Sequence, residues 1–335
     1  MGIQPVGQIG LRDLALDASM TDCTARLLRV CLVAACMVLY ASPWVTAAQT
    51  VAAHRSAQGP TSIRVIDGRG RSVELSAPAQ RIIALLPSLA ESVCALGACD
   101  RLVGIDRSTD WPASIRSLPR LGGLEDPAIE RIVALRPDLV LVPVSWRATS
   151  RLEAAGLKVV ALEPASMADT RRMFDVVASL LGTPEAGPSL WLRMQAQMDA
   201  AAASVPASVR GQSVYFEVSE APHAAGEASV VGELLAAFGL RNIVSAPMGA
   251  FPRLNPEFVV RASPDWVMGP RDAVNRMASR PGWSGMPALK PSRSCPFLPE
   301  AYDAIVRPGP RLGEASQRLA QCLTTGARNP AGLPG

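Results

Sequence analysis

At 335 residues, with 49% hydrophobic content and a net charge of +4, the chain is long enough for two domains with real cores. Its cationic and acidic residues are interspersed, which excludes the clustered basic face that a nucleic-acid binder needs. No cysteine pair has the spacing of a redox CxxC or zinc pattern, and the only histidines are His54 and His223, too few for a His-based metal site.

In chain order, Arg26 and Arg29 precede an apolar run from Val30 to Tyr40, and Thr46-Ala47-Ala48 offers a small-residue cleavage site. Residues 1–48 therefore read as an export signal. Met20 is an alternative start to Met1, because Asp13 and Asp17 suit no signal n-region. Val33-Ala34-Ala35-Cys36 resembles a lipoprotein cleavage box, but few apolar residues separate it from Arg29, so cleavage near Ala48 is preferred to anchoring at Cys36. Export leaves Cys94, Cys99, Cys295 and Cys322 in an oxidising compartment with their connectivity open; buried thiols are the simplest reading, a Cys94–Cys99 bridge the alternative.

Ser62 to Leu75 reads as two strands around Asp67-Gly68. Arg81 to Leu85 is an apolar strand; Ser88 and Glu91 form a capping box for the next helix, which Gly97 ends. Leu102–Ile105, Leu139–Val142 and Val159–Leu162 are further strands, and Asp126-Pro127 opens a helix as cap and first-turn proline. In the second half Ser213–Val218, Trp266–Met268 and Cys295–Leu298 are strands, Asn255-Pro256 is again cap plus proline, Leu312–Leu323 is a last helix and Thr324 onward is loose. Strands alternating with helices predict parallel sheets.

Between the halves, Leu190 to Val205 runs without a breaker, and Trp191, Met194, Met198, Ala201 and Val205 make one apolar helical stripe. Its flanks resemble each other. Glu130 and Glu257 each stand seven residues before a Pro-Asp step into an apolar strand, and Glu91 and Glu233 each stand six before a glycine. Matches in the same order predict two lobes of one design: 61–183 and 207–323, bridged by a helix over 184–206.

Ligands of open parallel sheets sit outside the carboxyl ends of the strands. The loops expected there carry Trp111, Trp146, Phe251 and Tyr302, four of the chain's few aromatics, with Arg271 and Arg307 as polar anchors.

Arg81-Ile-Ile-Ala-Leu-Leu-Pro-Ser-Leu-Ala-Glu91, Leu102-Val-Gly-Ile-Asp106, Asp110-Trp-Pro, Gly122-Gly123, Ile129 to Asp138 and Arg307-Pro-Gly-Pro-Arg311 resemble the helical-backbone (class III) periplasmic binding proteins of cobalamin, haem and iron–siderophore ABC importers, most nearly the cobalamin branch. The resemblance runs from about Ser62 to Leu323. It implies two Rossmann-like α/β lobes joined by one rigid helix, with little hinge motion, and a monomer that hands its ligand to an inner-membrane permease. It also implies that Glu130 and Glu257 dock on that permease, one per lobe; the dipole of a helix N-terminus alone would account for either acid singly. Two positions depart from the family pattern: Ser108 stands where a cleft aromatic is usual, and Ala237 where the usual partner of Cys322 would be.

Three functions compete. A corrinoid would use aromatic faces and Arg contacts. An anionic ferric siderophore would use the arginines, and haem would need Tyr302 or His223 as axial ligand. An exported enzyme has no support, since no nucleophile–base–acid set or phosphate loop is present. The chain is therefore expected to bind cobalamin as cargo, with no cofactor, bound metal or nucleic acid.

Overall fold

The computed structural model describes residues 62–220 and 222–328. The export signal, the Cys36 box and both candidate starts lie outside them. The described chain opens with an antiparallel hairpin, β1 (Ile63–Ile66) and β2 (Ser72–Leu75). Its turn is longer than a two-residue Asp-Gly turn: Asp67 Oδ1 accepts from the backbone of Arg69 and Arg71 at 2.9 and 3.0 Å. The same turn docks on the first lobe through Gly68 N–H to the Ala161 carbonyl, 2.6 Å.

That lobe is a parallel sheet of β3 (Ile82–Ala84), β4 (Leu102–Ile105), β5 (Leu139–Val142) and β6 (Val159–Ala161), in the order β4-β3-β5-β6. Its helices are α1 (Pro87–Ala95), α2 (Ile129–Ala134), α3 (Thr149–Ala154) and α4 (Met167–Leu180). The spine helix α5 spans Ala186–Ser204. The second lobe comprises β7 (Ser213–Ser219), β8 (His223–Ala224), β9 (Arg241–Asn242), β10 (Trp266–Pro270) and β11 (Ser294–Phe297). Its parallel strands run β9-β7-β10-β11, the neighbour order of the first lobe, and only β8 pairs antiparallel with β7. Helices α6 (Val230–Ala237), α7 (Pro256–Ala262), α8 (Arg271–Arg276), α9 (Pro299–Val306) and α10 (Leu312–Arg328) surround it. The first sheet and the central strands β7 and β10 of the second are almost wholly buried, as apolar runs covered on two faces must be.

The two lobes repeat down to backbone detail. Arg136 and Ser263, each six residues past the paired glutamates, both take left-handed φ, 47° and 42°. The carboxylate of Asp138 then accepts from the backbone of Gln80 and Arg81 at the start of β3, and that of Asp265 from Ser213 at the start of β7. Each Pro-Asp step is thus a tight exit from a short helix, pinned to the neighbouring strand by a charge-assisted bond. Gly122 and Gly249 also correspond, with φ of 87° and 95°.

α5 buries Leu190, Met194, Met198 and Ala201 along the expected stripe, while Trp191 at its edge is half-buried. Each buried Met contributes about 1.5–3 kcal/mol by leaving water. Pro188 lies in its first turn, where a missing N–H costs nothing, so the helix begins earlier than the breaker-free run suggests. Three further expectations are corrected. α1 starts at Pro87 with Leu86 as an uncapped N-terminus, so Ser88 is an interior, buried residue and the capping box does not form. α2 starts at Ile129, and Asp126 pairs with Arg107 rather than capping it. α10 runs through Arg328 instead of loosening at Thr324. The cysteines are joined Cys94–Cys99 and Cys295–Cys322, the latter tying β11 to α10 where Ala237 could offer no partner.

Candidate functional site

Segments that follow the carboxyl ends of β3 and β4 meet a segment that follows β11, and two reciprocal crossings form the floor between the lobes. Glu91 on α1 reaches a segment that follows β11 in the other lobe, with Arg307 Nη1 donating to Glu91 Oε1 at 3.3 Å. Its repeat partner Glu233 on α6 reaches a segment that follows β6, accepting from Met167 N–H at 2.7 Å. Matching glutamates therefore make opposite crossings, and Glu233 also caps the N-terminus of α4.

Arg307 is the hub of the first crossing. It also donates to Asp110 Oδ1 at 3.0 Å and to Asp303 Oδ2 at 2.8 Å. Asp303 lies on α9, whereas Glu91 and Asp110 belong to the first lobe, so one guanidinium clamps three carboxylates across the lobe boundary. Arg311 adds a second contact, its guanidinium 5.1 Å over the Trp111 ring. Burial pulls the Arg307 guanidinium down, and the carboxylates of Asp110, Asp303 and Glu91 more than offset it. Burial also raises Asp303 and Asp106, with the nearby cations and hydrogen bonds opposing.

Glu91 is 1% exposed and its Oε2 has no hydrogen-bond partner. Burial pushes its carboxyl up to about 7 against the pull of Arg307 and Arg311. Between the ordinary value of 4.5 and about 7 the folded protein holds a proton that the unfolded chain has released. Stability should therefore fall as pH rises through that window, and Glu91→Gln should remove up to about 3 kcal/mol of that slope. Urea unfolding of both proteins at pH 5 and pH 8 checks this; parallel profiles would refute it.

The six expected ligand residues differ in burial and in what already engages them. Trp111 is half-buried on the loop after β4, with Arg311 covering one face. Trp146 is 5% exposed, packed in the first lobe's core with Nε1 donating to the Leu124 carbonyl at 3.0 Å; it is a core side chain under its own loop. Tyr302 is half-buried, near-parallel to Phe216, and its hydroxyl donates to the Val218 carbonyl at 2.6 Å. Burial holds that phenol at about 12. Arg307 is spent on carboxylates rather than free for a ligand. Arg271 opens α8 and lines a groove with Phe297, Leu298 and Arg318 along β11. Phe251 is 52% exposed on the loop before α7. His223, on β8, shares a hydrogen bond with Ser219 at 3.0 Å.

Glu130 and Glu257 are both exposed in the first turns of α2 and α7. On the segments that follow β4 and β5, Leu124, Glu125, Ser145, Arg147 and Arg151 line an open pocket of about 570 Å³, and Trp146, though mostly buried, forms part of its wall.

A family model described as periplasmic binding protein matches residues 82–293, which take in both sheets up to the start of β11. The chain belongs to that family. Among similar proteins, an uncharacterized ABC transporter substrate-binding lipoprotein, YvrC of Bacillus subtilis, is 25% identical over 78% of this chain and 85% of its own length. A cobalamin-binding protein of Halobacterium salinarum is 28% identical over 71% and 67%. The apo periplasmic heme-binding protein RhuT of Roseiflexus sp. RS-1 is 26% identical, with TM-score 0.65, over 74% of this chain and 99% of that one. The periplasmic vitamin B12 binding protein BtuF of Vibrio cholerae, 20% identical, shares the fold at TM-score 0.63 over 75% and 99%. This binding protein thus has the expected class III fold, with two parallel-sheet lobes on one long helix.

The sequence reasoning missed Glu91, Asp110, Asp303 and Arg311 as members of the floor. A signal existed for the first: an acid inside the apolar run Leu89-Ala90-Glu91-Ser92-Val93 is costly unless paired. Assigning it to a capping box hid that cost.

Proposed function

We propose that this protein is the substrate-binding component of an ABC importer and carries cobalamin or a related corrinoid in the inter-lobe cleft, as cargo and without chemical change. It acts as a monomer in the periplasm, and Glu130 and Glu257 meet the inner-membrane permease. The relatives named for vitamin B12 and cobalamin support the ligand class. The observation that carries the choice is the engagement of the floor. Arg307, the cation an anionic ligand would seek, is neutralised by three carboxylates, and the hydroxyl of Tyr302, one of two axial ligands open to haem, is given to a carbonyl. A broad, largely neutral ligand asks for neither. Haem is the second reading, favoured by the 26% identity to solved heme-binding structures.

Titration with cyanocobalamin and haemin, followed by tryptophan fluorescence, decides between them. Trp111→Ala should weaken cyanocobalamin binding roughly 5- to 150-fold, the range for losing an aromatic contact worth about 1–3 kcal/mol. Haemin binding with indifference to cyanocobalamin would overturn the corrinoid assignment.

A further inference from the structure

The connection that leaves β4 is longer than the repeat of the lobes requires. Ile82 pairs with Leu102 and Leu139, and Val214 with Asn242 and Trp266. Leu139 and Trp266 each stand two residues past the paired prolines, so Leu102 and Asn242 correspond. From there to the left-handed glycine of its lobe the chain takes 20 residues in the first, Leu102 to Gly122, and 7 in the second, Asn242 to Gly249. The longer connection carries Asp110 and Trp111, which meet Arg307 and Arg311 of the second lobe.

That connection is wound round one side chain. Arg120 Nη1 donates to the carbonyls of Arg107 at 3.2 Å, of Asp106 at 3.4 Å and of Thr109, and its Nη2 donates to the Arg116 carbonyl at 3.4 Å. The backbone on either side of Arg120 is pinned to β4: Ile105 N–H donates to the Pro119 carbonyl at 3.0 Å and Leu121 N–H to the Ile105 carbonyl at 2.9 Å. Asp106, 5% exposed, closes the same turn by accepting from Ser108 N–H at 2.6 Å and from the Thr109 hydroxyl. Carbonyl dipoles that converge repel one another unless a donor sits at their focus, and the guanidinium fork serves several at once. Two residues before its glycine the second lobe has Pro247, which has neither side-chain nor backbone donor. The arginine therefore belongs to the long connection and not to the repeated fold.

We propose that Arg120 is a positioning residue for ligand capture, holding the connection in the shape that presents Trp111 before a ligand arrives. This rests on the reading of Trp111 as a ligand contact. Arg120 itself touches no ligand. A loop ordered in advance spares the complex the entropy of ordering it, so the gain appears in affinity.

The test is a double-mutant cycle on the whole protein, with cyanocobalamin binding followed by calorimetry. Arg120→Met keeps the stem, removes the donors and should weaken binding by roughly 10-fold; Arg120→Lys should weaken it less. In a Trp111→Ala background Arg120→Met should change affinity by less than about 2-fold, because the side chain it positions is gone. Hydrogen exchange of the amides of 107–111 should quicken in ligand-free Arg120→Met and slow again with ligand bound, while β3 and β5 stay protected. A full loss in the Trp111→Ala background would show that Arg120 acts by another route, and unchanged affinity despite faster exchange would show that the loop is ordered for its own sake. Either result overturns the positioning role and leaves the importer reading standing. Should the native protein bind haemin and not cyanocobalamin, the corrinoid reading falls, and the same cycle with haemin decides Arg120. Binding of neither would overturn both.

Discussion

Arg280→Met should lower the unfolding free energy by about 3–5 kcal/mol, the cost of removing one partner from a buried ion pair. Glu217, near the end of β7, is 0% exposed. Both its oxygens are held by the Arg280 fork at 2.6 and 2.7 Å, and the Tyr215 hydroxyl donates a third bond at 2.7 Å. The guanidinium also lies 4.8 Å over the Trp283 ring, which in turn meets the edge of Tyr215. Methionine preserves the stem and its packing, so the loss isolates the charge. Coupling to Glu217→Gln in a double-mutant cycle should return much of it, because the two variants then remove one shared interaction. A single-variant loss below about 1 kcal/mol in urea unfolding would place this pair among weak surface bridges.

Arg307→Ala is the second large effect, expected to cost about 3 kcal/mol, near the lower end for a broken buried pair because Glu91 can take up a proton in compensation. Its more informative consequence is geometric. Asp303 stays in the second lobe, while Glu91 and Asp110 stay in the first, so nothing else in that cluster joins all three. Spin labels on cysteines introduced at the exposed Ser117 and Ser245 should show a broader and longer distance distribution in the variant. Arg307→Lys should recover only part, since one ammonium cannot present the fork that spans Asp110 and Asp303. An unchanged distribution would mean that the Glu233 crossing and the spine fix the cleft without Arg307.

Much of the architecture was legible because apolar runs and breakers are local signals. Leu139–Val142 is the observed strand to the residue, and the paired Glu-to-Pro spacings announced the lobe repeat. What failed was the reading of capping from residue type alone. Ser88-x-x-Glu91 and Asp126-Pro127 have the composition of helix starts, yet Glu91 is engaged by Arg307 across the lobes and Asp126 by Arg107 and the Gly123 backbone N–H. The site was less legible for the same reason. Whether Trp146 offers a ring face or fills a core, and whether Arg307 greets a ligand or three carboxylates, depends on contacts from distant segments. The sequence distance between Glu91 and Arg307 spans both lobes, and no local pattern encodes that pairing.

The spine is gripped from both sides by glycines. A side chain at Gly187 would strike the backbone of Phe174 and Asp175 on α4, and one at Gly313 of α10 would strike Gln197 of α5. One helix of each lobe thus packs tightly on the spine, α4 at backbone distance and α10 against the Gln197 side chain. Such a joint should behave more like a welded calliper than a spring, passing torque from one lobe to the other, and equal radii of gyration with and without ligand in solution scattering would bear that out. Work to widen the jaws must then come from outside the molecule, so emptying the cleft is a mechanical task that falls to whatever grips both lobes at once.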